Sequence, residues 1–224
     1  MATIAANIQQ VRERIACACA AAQRPVQSVT LLTVSKTFSV DAVREAFAAG
    51  ERRFGENYVQ EGVDKIAALA DLRAQIEWHL IGPLQSNKTR TVAENFDWVH
   101  SVDRLKIAER LSEQRPPHLP ALQICLQVNI SHEASKSGVA PAEVPALAQA
   151  VATLPRLQLR GLMAIPEPSA GAAPHRALRE LLAHLRSLAL PVDTLSMGMS
   201  ADLEAAIFEG STLVRVGTAI FGSR

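Results

Sequence analysis

The chain has 224 residues, a formal net charge of +1 and 48% hydrophobic residues. This length suffices for one large domain with a substantial core or for two small domains. The near-zero charge provides no concentrated basic field for a nucleic acid or a membrane surface, and no uninterrupted apolar run reaches the roughly 18 residues of a membrane helix. We therefore expect no nucleic-acid or membrane partner.

The first 24 residues predict an amphipathic helix that packs on the domain following it. Ile4, Ile8, Val11 and Ile15 recur at helical spacing, and the pattern stops before a proline. Charged residues at positions 12–14 interrupt the apolar run, so we expect no signal peptide.

The cysteines indicate a reducing compartment. Cys17 and Cys19 are two residues apart in a helical pattern and so face different directions, while Cys125 lies in an apolar run. Such a set forms no disulfide framework. We therefore expect a cytoplasmic protein.

After the N-terminal helix, short apolar runs alternate with amphipathic segments. The predicted strands are 29–35, 52–55, 76–81, 98–101, 122–129, 157–164, 192–195 and 213–216. The predicted helical segments are 40–47, 59–69, 105–111, 178–188 and 203–207. Repeated strand–helix alternation with short connections predicts a single α/β domain over residues 1–224, a (β/α)8 TIM barrel. A doubly wound open sheet is the alternative, because it uses the same units.

A lysine follows the first predicted strand. Residues 31–34 are an apolar run, and Lys36 comes two residues after it. This spacing places an amine at the carboxyl end of the sheet, where α/β folds carry their chemistry. On position alone, a solvated loop lysine is the more common explanation.

Two loops of small residues follow the seventh and eighth strands. The first contains Ser196, Gly198 and Ser200, and the second contains Gly217 and Thr218. Small residues let backbone N–H groups approach an anion, and these two loops are the usual phosphate site of the barrel fold. The alternative is that glycine and serine serve only to turn the chain.

Three polar residues lie in or directly after predicted strands. Arg215 interrupts an apolar run, where its charge is costly unless it is paired. Pointing inward, Arg215 would donate to a ring nitrogen or an acid near the phosphate; pointing outward, it would lie over a helix. Asn57 and His79 are placed to line the ligand face, although a lone histidine in an apolar strand is more often a hydrogen-bonded core residue.

Several familiar sites are excluded. Residues 132–136, which contain His132 and Lys136, lack the second histidine of a zinc protease helix, and we expect no metal site. The chain has no P-loop, no dinucleotide fingerprint and no complete nucleophile elbow. The proline-rich loop 165–174 could line or cover a pocket.

Long stretches of the chain resemble one family. These stretches are 33–36, 54–61, 78–88, 161–166, 196–200 and 214–222, and residues 128–138 also look like the family's fifth-strand loop. The sequence resembles the YggS/PROSC family of pyridoxal phosphate homeostasis proteins. That resemblance implies a barrel similar to the N-terminal domain of alanine racemase, with pyridoxal 5′-phosphate (PLP) as the cofactor.

The resemblance also implies roles for particular residues. Lys36 would hold PLP as a Schiff base, Asn57 would line the ligand face, and Arg215 would face the pyridine nitrogen. The phosphate would lie near Ser196, Gly198, Ser200, Gly217 and Thr218.

The sequence favours a carrier over a catalyst. Racemisation through PLP needs a second acid–base group, commonly a tyrosine, and the chain has the single tyrosine Tyr58. Because the sequence ends just beyond the eighth predicted strand, we also expect no additional β domain of the kind that racemases of this fold use. We expect a non-catalytic, monomeric protein of PLP homeostasis that passes PLP to apo-enzymes. The alternatives are a PLP-dependent racemase-like enzyme and a phosphosugar enzyme that uses Lys36 without a cofactor.

Overall fold

The computed structural model describes residues 3–131, 137–167 and 171–222. Within them, eight parallel strands close into a barrel in sequence order. This topology confirms the predicted barrel and rules out the open sheet. The strands are β1 (Thr30–Val34), β2 (Arg53–Glu56), β3 (Glu77–Leu80), β4 (Trp98–Val102), β5 (Leu122–Gln127), β6 (Leu157–Met163), β7 (Thr194–Ser196) and β8 (Leu213–Val216).

Every connection between neighbouring strands carries a helix. The helices are α1 (Ile4–Ala21), α2 (Val40–Ala48), α3 (Val59–Ala68), α4 (Thr89–Asn95), α5 (Leu105–Gln114), α6 (Val144–Ala152), α7 (Ala173–Ser187), α8 (Leu203–Phe208) and α9 (Thr218–Phe221). The sequence patterns predicted neither α4 nor α6 nor α9.

The N-terminal helix α1 packs over the seam of the barrel, where the first strand, β1, pairs with the last strand, β8. Its N-cap Thr3 accepts a hydrogen bond from the backbone N–H of Ala6, which fixes the start of the helix. Ile8, Val11 and Ile15 are buried, as their spacing predicted. The helix contacts α2 on one side and α8 and α9 on the other.

The barrel interior is unusually polar for this fold. Two separate apolar clusters lie inside it, Leu32, Val34, Ile81 and Leu213 in one and Trp98, Cys125 and Met163 in the other. Fully or almost fully buried polar side chains also occupy the strands: His79, His100, Ser196 and Arg215. Bulky aliphatic side chains usually fill such barrels, so these four residues need a specific explanation.

Some predicted features lie outside the described residues. They are the stretch 132–136, with His132 and Lys136, and residues 168–170 of the loop 165–174. Among the helices that are described, none has both the length and the apolar character needed to cross a membrane.

Candidate functional site

The carboxyl ends of the strands surround a cavity of about 590 Å³. It brings together six of the predicted site residues: Lys36, Asn57, Ser200, Arg215, Gly217 and Thr218. Ile165, at the start of the proline-rich loop 165–174, also lines the cavity, as the sequence suggested for this loop. The other lining residues are Val34, Phe38, Ile81, Met199, Ala201 and Gly222. A smaller compartment of about 260 Å³ adjoins this cavity and shares Asn57, Ile81 and Ile165 with it.

Lys36 presents an unpaired amine from a fixed backbone. The side chain is partly buried, and its amine makes no hydrogen bond or ion pair within the described part of the chain. Both neighbouring residues are anchored: the Ser35 hydroxyl donates to Glu56 at 2.5 Å, and the Thr37 N–H donates to Glu61. The amine is therefore positioned by its backbone while remaining available to a ligand.

A buried ion-pair cluster of Lys65, Glu56 and Glu61 contacts the backbone next to Lys36. The Lys65 ammonium donates to Glu56 at 2.8 Å, to Glu61 at 2.7 Å and to the carbonyl of Ser35 at 2.6 Å. Burial raises the pKa of Glu56, although the charge of Lys65 opposes this effect. Sequence reasoning missed Lys65, yet its position was a signal, because it shares the buried face of α3 with Val59.

The Arg215 side chain points into the barrel, where oxygen atoms at the ends of β6 and β7 accept its hydrogen bonds. Its guanidinium donates to the Ser196 carbonyl at 2.5 Å, to the Ser196 hydroxyl at 2.7 Å and to the Ala164 carbonyl at 2.8 Å. Burial lowers the pKa of Arg215 to about 10, so the group stays charged at neutral pH. The guanidinium retains N–H groups that have no acceptor among the described residues, and it lines the cavity.

The loops after β7 and β8 present backbone donors to the same cavity. No hydrogen bond within the described residues takes up the backbone N–H groups of Ser200, Ala201, Gly217 or Thr218. At Gly217 a Cβ would lie 2.9 Å from the carbonyl oxygen of Val34, so any residue with a side chain would clash there and glycine is required. Unpaired N–H groups that converge in this way form an anion site.

Ser196 and Gly198 do not line the cavity. The hydroxyl of Ser196 lies inside the barrel, between Arg215 and His100, at 2.7 and 2.8 Å. Gly198 has a φ of +94°, and a Cβ there would lie 2.6 Å from that of Ala206. The resemblance implied that the phosphate lies near both residues, and in the structure neither is among the residues that line the cavity.

Two other candidate side chains lie away from the cavity. His79 is fully buried and hydrogen-bonded to His100 and Glu77, at 2.9 Å in both cases. The hydroxyl-bearing Tyr58 is 61% exposed and does not line the cavity. No group of three or more His, Cys, Asp or Glu side chains among the described residues could hold a metal ion.

Helix α1 holds the segments that follow β7 and β8. Arg14 donates to the carbonyl of Ser200 at 3.0 Å and forms a bidentate pair with Glu204 at 2.8 and 2.9 Å. Asn7 donates to the carbonyl of Ile220 in α9 at 2.8 Å. Side chains of a single helix thus fix two loops that are close in space but lie after different strands.

We expect Arg14→Ala to weaken binding of an anionic ligand in the cavity. Losing one hydrogen bond of about 1 kcal/mol corresponds to a severalfold rise in Kd. The measurement is a titration with PLP followed by absorbance. Arg44→Ala is the matched control, because Arg44 forms a similar bidentate pair with Asp71, at 2.8 Å for both bonds, without contacting the cavity. Equal effects of the two substitutions would contradict the role of Arg14.

Comparison with known proteins identifies the family. Residues 1–224 match the family model described as the alanine racemase N-terminal domain. A Pseudomonas aeruginosa relative, named pyridoxal phosphate homeostasis protein, is 64% identical over 225 residues, which cover 100% of this chain and 97% of the relative.

Solved structures agree with this assignment. PipY of Synechococcus elongatus, solved with PLP bound, has a TM-score of 0.81 and 42% identity, covering 95% of this chain and 100% of PipY. Alanine racemase from Corynebacterium glutamicum shares the fold, with a TM-score of 0.69 at 17% identity, over 95% of this chain and 61% of the racemase. These matches confirm the family expected from the sequence: the chain belongs to the pyridoxal phosphate homeostasis proteins, which are built on the alanine racemase N-terminal domain.

Proposed function

We propose that this protein binds PLP reversibly as a Schiff base on Lys36 and acts in PLP homeostasis as a carrier of the cofactor. The observation that carries the proposal is that one cavity contains an unpaired lysine amine, a buried guanidinium with open donors and unpaired backbone N–H groups. The PLP-bound structure of PipY and the name of the Pseudomonas aeruginosa relative support the same ligand.

The residues present fit the chemistry of PLP. The cofactor supplies an aldehyde that condenses with a primary amine and releases water, and hydrolysis reverses the bond. Lys36 is the amine that the cavity offers. The loop N–H groups of Ser200, Ala201, Gly217 and Thr218 would bind the phosphate, and Arg215 would donate to the pyridine nitrogen. Asn57 lines the same cavity and would face the ligand there.

The lining of the cavity supports a carrier. Its lining includes no Asp, Glu, His, Cys or Tyr among the described residues, so none of those residues offers Lys36 a second acid–base group there. Facing the pyridine nitrogen, the protonated guanidinium of Arg215 would keep that nitrogen unprotonated and weaken the ring as an electron sink. This does not separate a carrier from a racemase, because the resemblance to racemases includes such an arginine. The shared barrel of alanine racemase favours the racemase-like alternative, but the lining does not.

One assay separates a carrier from a racemase. The PLP-loaded protein is incubated with single L-amino acids, and formation of the D-enantiomer is compared with that in free PLP at the same concentration. We expect no excess over free PLP. Racemisation well above that background, abolished by Lys36→Ala, would establish the enzyme instead.

A second assay tests transfer of the cofactor. The loaded protein is mixed with a PLP-dependent apo-enzyme beside an excess of an aldehyde trap. Activation that survives the trap supports direct transfer between the proteins, whereas activation lost to the trap would overturn direct transfer and indicate release into solution. In our proposal the protein works as a monomer in the cytoplasm, with apo-enzymes as its partners.

A further inference from the structure

A continuous chain of hydrogen bonds crosses the barrel from Arg215 to Glu77. Arg215 donates to Ser196 Oγ at 2.7 Å, and Ser196 Oγ lies 2.8 Å from His100 Nδ1. His100 Nε2 lies 2.9 Å from His79 Nδ1, and His79 Nε2 lies 2.9 Å from Glu77 Oε1. The Ser196–His100 contact joins β7 to β4, which are not neighbours in the barrel, so the chain passes through the interior.

At the Arg215 end, it is clear which atom donates and which accepts, and this fixes the donor-to-acceptor direction of the hydrogen-bond chain. A guanidinium only donates hydrogen bonds, so Ser196 Oγ must accept at this end. The hydroxyl has one proton of its own, and the Arg215 contact does not use it. That proton can therefore be donated to Nδ1 of His100, provided that this nitrogen carries no hydrogen.

The Glu77 end sets the same direction. Burial by itself would raise the pKa of Glu77, but the hydrogen bond from His79 and the charge of Arg53, whose Nε donates to Glu77 Oε1 at 3.1 Å, act in the opposite direction and lower it. The carboxylate therefore accepts, and His79 must carry its proton on Nε2. The opposite direction would set a lone pair of His79 against this carboxylate at 2.9 Å.

Both histidines are neutral in this setting. Each is fully buried, and burial lowers the pKa of both rings; at His100 the charge of Arg215 adds to the effect. The acidic groups facing His79 are Glu77 and Asp97, and Arg53 opposes them. A neutral imidazole has one donor nitrogen and one acceptor nitrogen. Each ring therefore accepts a hydrogen bond on one side and donates one on the other, so the donor-to-acceptor direction is the same along the whole hydrogen-bond chain.

We propose that Ser196 and His100 are positioning residues for Arg215, in a one-directional hydrogen-bond chain whose two histidines both carry their proton on Nε2. The chain holds the guanidinium on the floor of the cavity with its open N–H groups toward the ligand, and it connects this buried cation to the carboxylate of Glu77. The tautomers stand independently of any cofactor. The effect on PLP rests on the proposed function.

The tautomers are tested by ¹⁵N NMR of the histidine side chains in the full chain, with and without PLP. His79→Gln and His100→Gln assign the two signals. We expect two neutral rings protonated on Nε2 that do not titrate between about pH 6 and 8. A proton on Nδ1 of either ring, or an imidazolium in this range, would overturn the proposal whether or not PLP binds.

The positioning role is tested with Ser196→Ala. Ser211→Ala is the matched control, because Ser211 is also fully buried and donates to the Met197 carbonyl at 2.7 Å, but it does not contact Arg215. The readouts are the PLP affinity, the visible absorption band and the dependence of that band on pH. We expect Ser196→Ala to weaken affinity at least tenfold and to shift the pH profile, while Ser211→Ala leaves both unchanged at a similar loss of stability.

The possible outcomes distinguish a failure of the positioning role from a failure of the proposed function. An unchanged affinity and pH profile in Ser196→Ala, or an equal change in Ser211→Ala, would overturn the positioning role. A wild-type protein without any visible band would overturn the proposed function and the effect on PLP together, while the NMR result would still decide the direction of the chain. If Ser196→Ala does not fold, the tautomers of the wild-type protein remain the deciding measurement.

Discussion

Replacing Lys36 with alanine is expected to abolish covalent binding of PLP. The Lys36 amine is the one that opens into the cavity and has no partner within the described residues. Without it, the aldehyde loses its nucleophile, although the loop N–H groups and Arg215 would still bind the phosphate and the ring. The expected result is loss of the visible absorption band, with weak noncovalent binding retained.

The measurement combines absorbance with mass spectrometry after borohydride reduction. The wild-type protein should gain the mass of one reduced cofactor, located by peptide mapping at Lys36. Lys106→Ala serves as the control, because Lys106 is an exposed lysine on α5. Attachment to Lys36→Ala at the wild-type stoichiometry would show that another amine is the tether.

The second large effect is expected from Lys65→Met. The Lys65 ammonium and the Glu56 carboxylate are both buried, with side chains 6% and 0% exposed. Removing one partner of a buried pair leaves an uncompensated charge, which costs about 3–5 kcal/mol of unfolding free energy. Glu56 already has one carboxylate oxygen without a hydrogen bond, so it has no spare partner to replace the lysine.

Chemical denaturation at pH 7 measures this loss, and two comparisons calibrate it. Arg44→Ala breaks an exposed, solvent-screened ion pair and should cost much less stability than Lys65→Met. The double variant with Glu56→Gln removes the stranded charge and should recover much of the loss. If Lys65→Met were no more harmful than Arg44→Ala, the buried cluster would not support the Lys36 segment.

The loss of unfolding free energy in Lys65→Met should also depend on pH. The ionisation of Glu56 determines whether this loss grows or shrinks as the pH rises. Burial raises the pKa of this carboxyl above its ordinary value of 4.5. A group with a raised folded-state pKa contributes stability that is complete below the unfolded value and is lost as pH rises through the folded value. The difference between variant and wild type should therefore be smallest below pH 4.5 and grow on raising the pH. A difference that grows on acidification would contradict this assignment.

The strands and the barrel could be predicted from local patterns, because most of the strands are short, mainly apolar runs. The missed helices show where such patterns fail. Within α4, the buried side chains are Thr89, Val92 and Ala93, too few to mark an apolar face. The sequence of α6 is apolar almost throughout, so it has no polar face, and α9 has only four residues.

The site could be predicted in part. Lys36, Arg215 and the two loops lie at strand ends, and the fold carries strand ends to one face. Ser196 shows the limit, since its hydroxyl contacts His100 on a strand that is not adjacent in the barrel. A contact between distant strands depends on which side chains point inward and how far they reach, and no local pattern encodes it.

The contacts of α1 have a consequence for the order of events during synthesis. The hydrogen bond from Asn7 spans 213 positions along the chain, and that from Arg14 to Ser200 spans 186. Helix α1 leaves the ribosome well before the loops that it holds, and these long-range contacts cannot form until the loops emerge. The loops after β7 and β8 should therefore acquire their final geometry only once β8 and α9 have been made, so a nascent protein would not sequester cofactor before its barrel can close.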